Sequence, residues 1–333
     1  MTTIDFFSAQ SFEAPLYNIL NETTFHFSMH YIESHLNRET AHRVKNVDVV
    51  CCFVNDHLDR LTLDILKANG VKLIALRSAG FNHVDTAYAA SIGLPVCYVP
   101  RYSPEAVAEF TVGLILSLNR KIHRAYQRVR EGNFSLQGLM GFNLRGKTVG
   151  IVGLGAIGGC LAHLLMGFGC RVLAYDIVQN PAMIDAGVEY FSLSDLLNQS
   201  DIVSLHCPFT KDTKHLICTE TIEQMKPGVM LINTGRGALI DTRAVINGLK
   251  NGKIGYLGMD VYEEEAPLFF ADHSTEIIQD DVICRLMTFP NVLITGHQAF
   301  FTQEAIQHIA ETTLNNISYF KKNELKKIFL VSS

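Results

Sequence analysis

Arg236 and His297 are the side chains best suited to act on a small polar molecule, and each follows directly on an apolar run that reads as a buried strand. Arg236 stands in Thr234-Gly-Arg236-Gly, behind the run 229–233. A guanidinium at the carboxyl end of a strand can grip a carboxylate through two parallel hydrogen bonds, a geometry lysine lacks. The plain alternative is a surface arginine in a turn; glycine on both sides favours the binding role. His297 stands in Gly296-His297-Gln-Ala-Phe300, behind the run 292–295. An imidazole there can give or take a proton near neutral pH, as reduction of a carbonyl requires. An isolated histidine is more often structural. What raises this one is the acidic segment Tyr262-Glu-Glu-Glu-Ala266, just beyond the run ending at Val261. A carboxylate beside an imidazole stabilises its protonated form and fixes its orientation. Spacing leaves open which of Glu263, Glu264 and Glu265 would do so, or whether all three form a solvated loop.

A second group of residues points to a nucleotide. Gly153-Leu-Gly155-Ala156-Ile157-Gly158 follows the uncharged run 148–152, precedes a helical stretch over 160–168, and has Asp176 at the end of the next run. GxGxxG alone is weak, but strand, helix and acid together form a dinucleotide-binding fingerprint. The glycines admit a pyrophosphate to unpaired amides at a helix start. Asp176 would accept from the ribose hydroxyls and repel a 2′-phosphate, which favours NAD over NADP. The uncharged stretch 148–170 is also long enough to span a bilayer, and Gly155 and Gly159 form a GxxxG. Its density of glycine, its His163 and its motif context favour a buried strand and helix of a soluble fold.

These side chains need a scaffold, and its signs recur along the chain. Short apolar runs at 48–54, 72–76, 94–99, 148–152, 171–175, 201–206, 229–233, 254–261 and 292–295 alternate with helical stretches. That alternation predicts an α/β class with parallel sheets. With 333 residues, 48% of them hydrophobic, two domains are expected. Ser103 as cap, Pro104 in the first turn and Gly132 at the end mark one helix of roughly 28 residues, about 40 Å long, connecting the domains and carrying Tyr102 at its start. The expected division is a discontinuous substrate domain, 1–100 plus 299–333, with the nucleotide domain 101–298 inserted, a cleft between them and hinges near 100 and 298.

The net charge of −5 offers no footprint for nucleic acid or an anionic membrane. The lysines at 321, 322, 326 and 327 are interrupted by Glu324 and read as a solvated face. Eight cysteines without a CxxC pair suit reduced thiols in a cytoplasm, and the first residues carry no signal-peptide pattern. His26, His30 and His35 lie close in sequence without a matching acid spacing, so no metal site is expected.

Several stretches resemble the D-isomer-specific 2-hydroxyacid dehydrogenases, most nearly the fermentative D-lactate dehydrogenases. They are Leu76-Arg-Ser-Ala-Gly-Phe-Asn82, Asn119-Arg-Lys-Ile-His-Arg-Ala-Tyr126, Asn233-Thr-Gly-Arg-Gly-Ala-Leu-Ile-Asp241, Gly258-Met-Asp-Val-Tyr-Glu263 and Thr295-Gly-His-Gln-Ala-Phe300. The resemblance runs from about Asp48 to about Asn316 and is less distinct at the amino-terminal strand and the last dozen residues. It implies two Rossmann-like or flavodoxin-like domains, NAD as cofactor, His297 as proton donor, Glu265 as its partner and Arg236 as anchor of the substrate carboxylate and carbonyl. It further implies that Ala79 and Gly80 hold the carboxylate by their backbone, that Tyr102 closes over it, and that Phe53 and Phe300 narrow the side-chain pocket. Gly153, Gly155, Ala156, Ile157 and Gly158 would meet the pyrophosphate, Asp176 the ribose, and Cys207 and Pro208 the adenine side. Thr213, Thr234, Gly235 and Asp260 would complete the cofactor pocket; many relatives carry Asn at 213.

The implied reaction is reduction of pyruvate to D-lactate, with lobe closure excluding water. Bulkier 2-keto acids are the alternative substrates, since a pocket discriminates by only about 1–3 kcal/mol per methylene. The different-class alternative, an NAD-sensing corepressor, is opposed by the intact Arg236, Glu265 and His297 and by the lack of low-complexity sequence. The resemblance also implies a homodimer, for which the helix from Ser103 offers a surface.

Overall fold

A computed structural model describes residues 1–265 and 268–331. The chain divides into two compact units, Met1–Ser103 with Phe301–Ser333, and Pro104–Phe300. Tyr102 falls in the first unit and Phe300 in the second.

The first unit holds five parallel strands, β1 (Thr3–Phe6), β2 (Ser28–Tyr31), β3 (Val49–Cys52), β4 (Leu73–Leu76) and β5 (Val96–Cys97), in the order β2-β1-β3-β4-β5. This is the flavodoxin-type order. Val-Val-Cys-Cys and Leu-Ile-Ala-Leu are buried at every position, because helices cover both faces of a parallel sheet and leave no polar side to alternate with. The strands β1 and β2 were not among the expected runs. Each has only four residues, and β2 is a partly exposed edge strand without a continuous apolar signal. The helix Gln303–Lys321, whose start is capped by the Thr302 hydroxyl, buries Ala310, Leu314 and Ile317 among Ile4, Phe6, Val49 and Leu73.

The second unit holds seven parallel strands: β6 (Thr148–Val152), β7 (Arg171–Tyr175), β8 (Glu189–Tyr190), β9 (Ile202–Leu205), β10 (Val229–Asn233), β11 (Ile254–Met259) and β12 (Val292–Ile294). Their order, β12-β11-β10-β9-β6-β7-β8, is the doubly wound Rossmann order with one added strand. The two sheets make the class α/β.

The single long helix expected after Ser103 is two helices, Pro104–Arg120 and Ile122–Arg130. Lys121 between them adopts the left-handed conformation, φ 51° and ψ 40°, which a right-handed helix cannot continue. The returning loop clamps the break: the Asn119 side chain donates through Nδ2 to the Phe142 carbonyl at 2.7 Å and accepts at Oδ1 from the Phe142 backbone amide at 2.8 Å. Lysine is not a type that favours the left-handed conformation, so the break at Lys121 has no clear mark in its own residue type and is held by this tertiary clamp. Among the described residues no helix is long and apolar enough to cross a membrane.

Candidate active site

Strand register places the chemistry of the second unit. Val152 pairs with Tyr175 and Leu205, Leu205 with Asn233, Asn233 with Met259, and Met259 with Ile294. Six carboxyl ends are therefore level, and the residues that follow them, Gly153, Asp176, His206, Thr234, Asp260 and Thr295, emerge along one edge. Ligands bind at that edge in open α/β sheets.

His297 and Glu265 meet there, with Nδ1 and Oε1 2.9 Å apart. The other Glu265 oxygen accepts from the Tyr262 amide at 2.9 Å, which fixes the carboxylate from both sides. Of the three glutamates left open by sequence, Glu263 instead pairs with His215 Nε2 at 2.7 Å and Glu264 is exposed. His297 has a left-handed backbone, φ 54°, and its amide donates to the Asp260 carbonyl at 2.8 Å. The Phe270 and Phe300 rings stand 5.6 and 6.5 Å from the imidazole, centroid to centroid. Nε2 of His297 has no hydrogen-bond partner among the described residues.

Asp260 sits wholly inside, 0% exposed. Its carboxylate accepts from the Thr295 hydroxyl at 2.6 Å and from the Gln298 and Ala299 amides at 2.9 and 2.8 Å. Burial pushes this carboxyl above the usual range, against the pull of those three donors. Asp260 thus folds the loop that carries His297, a role that no local sequence signal marks.

Arg236 is half-buried behind β10, its Nη1 donating to the Gly235 carbonyl at 2.8 Å. Among the described residues no carboxylate lies within ion-pair range of it. The Asn233 side chain pins the turn, donating to the Arg236 carbonyl and accepting from the Gly235 amide. The flanking glycines answer to packing more than to ligand access. A Cβ on Gly235 would come 3.2 Å from the Leu205 carbonyl, and one on Gly237 would overlap the Tyr262–Glu263 peptide. Gly237 therefore seats the Arg236 turn directly on the loop that bears Glu265. Thr234 is buried and shares a 2.9 Å hydrogen bond with Thr111.

The glycine loop has the form a pyrophosphate needs. Gly153 is left-handed, φ 92°, and a Cβ there would stand 2.5 Å from the Cys207 amide nitrogen; one on Gly158 would meet the Gly153 carbonyl. Gly155 caps the helix Ala156–Gly167 with no side-chain partner and opens to free space, so the amides around Ala156 and Ile157 present the positive end of the helix. Asp176 accepts from the Leu154 amide at 2.6 Å and from the Val178 amide at 3.3 Å, and its oxygens keep lone pairs for ribose hydroxyls. Cys207 and Pro208 follow β9; burial pushes the Cys207 thiol up to about 11. The Thr213 hydroxyl donates to the Pro208 carbonyl and accepts from the Thr210 amide, both at 2.7 Å, and so closes that turn. These residues fit a dinucleotide.

The remaining expected contacts lie in the first unit. Phe53 is buried beyond β3, Ala79 and Gly80 are half-buried beyond β4, and Tyr102 is half-buried before the unit's end. The Ser78 hydroxyl donates to the Gly80 carbonyl at 2.7 Å and shapes that turn. Among the described residues no cluster of His, Cys, Asp or Glu could hold a metal ion. His30 instead pairs with Asp5, and His35 with Ser8.

Comparison with known proteins agrees with this arrangement. A family model described as D-isomer specific 2-hydroxyacid dehydrogenase, NAD binding domain, matches residues 112–299. The D-lactate dehydrogenase of Escherichia coli (strain K12) is 50% identical over 318 residues, 96% of each chain. The apo-structure of D-lactate dehydrogenase from Escherichia coli superposes with a TM-score of 0.88 at 47% identity, covering 97% of this chain and 98% of that one. D-lactate dehydrogenase from Aquifex aeolicus, complexed with NAD and lactic acid, does so at 0.88 and 34%, covering 99% and 100%. A family-model match over more than half the chain and half-identity over nearly all of it place this chain in the D-isomer-specific 2-hydroxyacid dehydrogenase family.

Proposed function

We propose that this chain is an NAD-dependent dehydrogenase that reduces pyruvate to D-lactate, reversibly. The observation that carries this reading is the His297–Glu265 pair at 2.9 Å, on the same sheet edge as an arginine with no carboxylate partner among the described residues. A 2-keto acid offers the matching groups: a carboxylate for Arg236 and a carbonyl oxygen for the proton of His297. Glu265 accepts at Nδ1, which keeps Nε2 for the proton that ends on the substrate oxygen; in reverse the same nitrogen takes the alcohol proton. Bound NADH supplies the hydride. The amides of Ala156 and Ile157 would hold its pyrophosphate and Asp176 its adenosine ribose. Cys207, Pro208, Thr213, Thr234 and Gly235 would line the same pocket, with Asp260 behind it. In the first unit the Ala79 and Gly80 amides and Tyr102 are assigned to the substrate carboxylate. Phe53 and Phe300 are assigned to limiting the substrate side chain to methyl size. The D-lactate dehydrogenases among the relatives support the choice of pyruvate.

NADH oxidation assayed over a panel of 2-keto acids, with the chirality of each product checked, tests the proposal. Pyruvate is expected to give the highest kcat/KM and D-lactate the product; a preference for larger acids would remove the lactate assignment. His297→Gln should lose most turnover while keeping NADH affinity, and unchanged turnover would rule out His297 as proton donor.

A homodimer is part of the same reading. Ile122, Tyr126 and Val129 share one face of the helix Ile122–Arg130, and Phe134, Leu136 and Met140 follow it; all six are exposed, the last two at 83% and 87%, and a concentration of exposed large apolar side chains of this kind supports an interaction surface. Leu136→Asp should move the protein from dimer to monomer in sedimentation velocity; a parent protein that sediments as a monomer refutes the homodimer. Eight cysteines without a CxxC pair support a reducing, cytoplasmic setting.

A further inference from the structure

Arg77 is the largest fully buried side chain of the described residues, and it belongs to none of the roles assigned above. Its guanidinium spreads in three directions. Nε donates to Glu13 Oε1 at 3.2 Å, Nη2 to the Phe7 and Ser8 carbonyls at 3.0 and 3.2 Å, and Nη1 to the Cys51 carbonyl at 3.4 Å. The guanidinium carbon lies 5.7 Å from the Phe6 ring centroid and 5.4 Å from that of Phe53. Asp56, 2% exposed, holds the same neighbourhood through its carboxylate. One oxygen accepts from the Ser8 hydroxyl at 2.6 Å and the Leu36 amide at 2.7 Å, and the other from the Phe53 amide at 2.7 Å. The segments leaving β1, β3 and β4, three neighbouring strands, are thereby tied by one buried cation and one buried carboxylate.

We propose that Arg77 is a positioning residue that sets substrate size, holding the Phe53 ring and the adjoining Ser78–Gly80 turn in place from within the fold. This rests on the assignment of Phe53, Ala79 and Gly80 to substrate. Asp56 fixes the Phe53 backbone and Arg77 backs its ring, so the ring has no route to retreat from a bulkier side chain. Removing a charged group from water is costly unless all its hydrogen bonds are met, and this network meets them at the Glu13 carboxylate and at the Phe7, Ser8 and Cys51 carbonyls. Lysine could keep the pairing with Glu13. It is a point charge without a planar fork, and would lose the simultaneous grip on Phe7, Ser8 and the two rings. A ring so released would yield to larger substrates.

The test compares the parent with Arg77→Lys, with Asp56→Asn, and with the double variant Arg77→Met/Glu13→Gln, which removes both members of the buried Arg77–Glu13 ion pair together. Steady-state kinetics with pyruvate and with 2-ketoisocaproate are measured beside NADH affinity and thermal unfolding. The expected result is a fall of about tenfold in the ratio of kcat/KM for pyruvate over the larger acid, the scale one methylene commands in a pocket. KM for pyruvate should rise more than kcat falls, and NADH affinity should stay within about twofold, since its proposed pocket lies in the other unit. A lower unfolding temperature with an unchanged ratio would make Arg77 merely structural and overturn the proposal. Parent protein that oxidises NADH with no 2-keto acid would instead sink the proposed function itself.

Discussion

Gly237→Ala asks whether Arg236 and Glu265 are held as one unit. The added Cβ would overlap the carbonyl carbon and oxygen of Tyr262 and the amide nitrogen of Glu263. These are backbone atoms, which cannot swing aside as a flexible side chain would. Non-bonded heavy atoms settle about 3.5 Å apart, so the turn and the loop must separate by roughly 1 Å or more. Glu265 follows closely in that loop, bound to His297 at 2.9 Å, and a shift of that size takes the pair out of hydrogen-bonding range. Overpacking against a rigid partner costs about 1–3 kcal/mol of stability. A 1 Å displacement of catalytic groups costs about 100-fold in rate, equivalent to about 2.7 kcal/mol of barrier. Thermal unfolding and the initial rate of NADH oxidation with pyruvate read the two effects separately. A variant that unfolds earlier but keeps kcat/KM within about twofold of the parent would refute the mechanical link between the turn and the loop.

Two further outcomes follow from single contacts. Asp176→Ala should weaken NADH binding, because the Leu154 amide loses its acceptor at 2.6 Å, and should bring NADPH use closer to NADH use; an unaltered cofactor ratio would refute the ribose role. His206 is half-buried, and burial pulls its imidazole from the usual 6.5 down to about 4. The folded state keeps it neutral while the unfolded chain takes up a proton below about 6.5, so its contribution to stability is complete above that pH. It is lost as pH falls toward about 4, by up to roughly 3 kcal/mol. Chemical denaturation at several pH values should show this loss, and the same slope persisting in His206→Gln would assign it to other groups.

The sequence by itself determined what depends on neighbours in the chain. Val229–Asn233 is apolar at four of its five positions because a central parallel strand is covered on both faces, and all five are buried. The glycines at 153 and 158 are legible because only a residue without Cβ fits against Cys207 and the Gly153 carbonyl. Arg236 is legible because it follows such a strand; His297 follows β12, an edge strand half-buried at every position, whose short apolar run carries a weaker signal. Tertiary structure decided what depends on residues far apart. The choice of Glu265 rests on a contact across 32 positions, the Thr111–Thr234 bond on one across 123, and the register that levels six strand ends on the pairing of the whole sheet. The break at Lys121 and the burial of Asp260 belong here as well: a loop returning from Phe142 imposes one, and three donors gathered from beyond β12 stabilise the other. Backbone sterics and burial act locally and leave a mark on residue type, whereas pairing between distant segments is chosen by packing and leaves none in any short stretch of sequence.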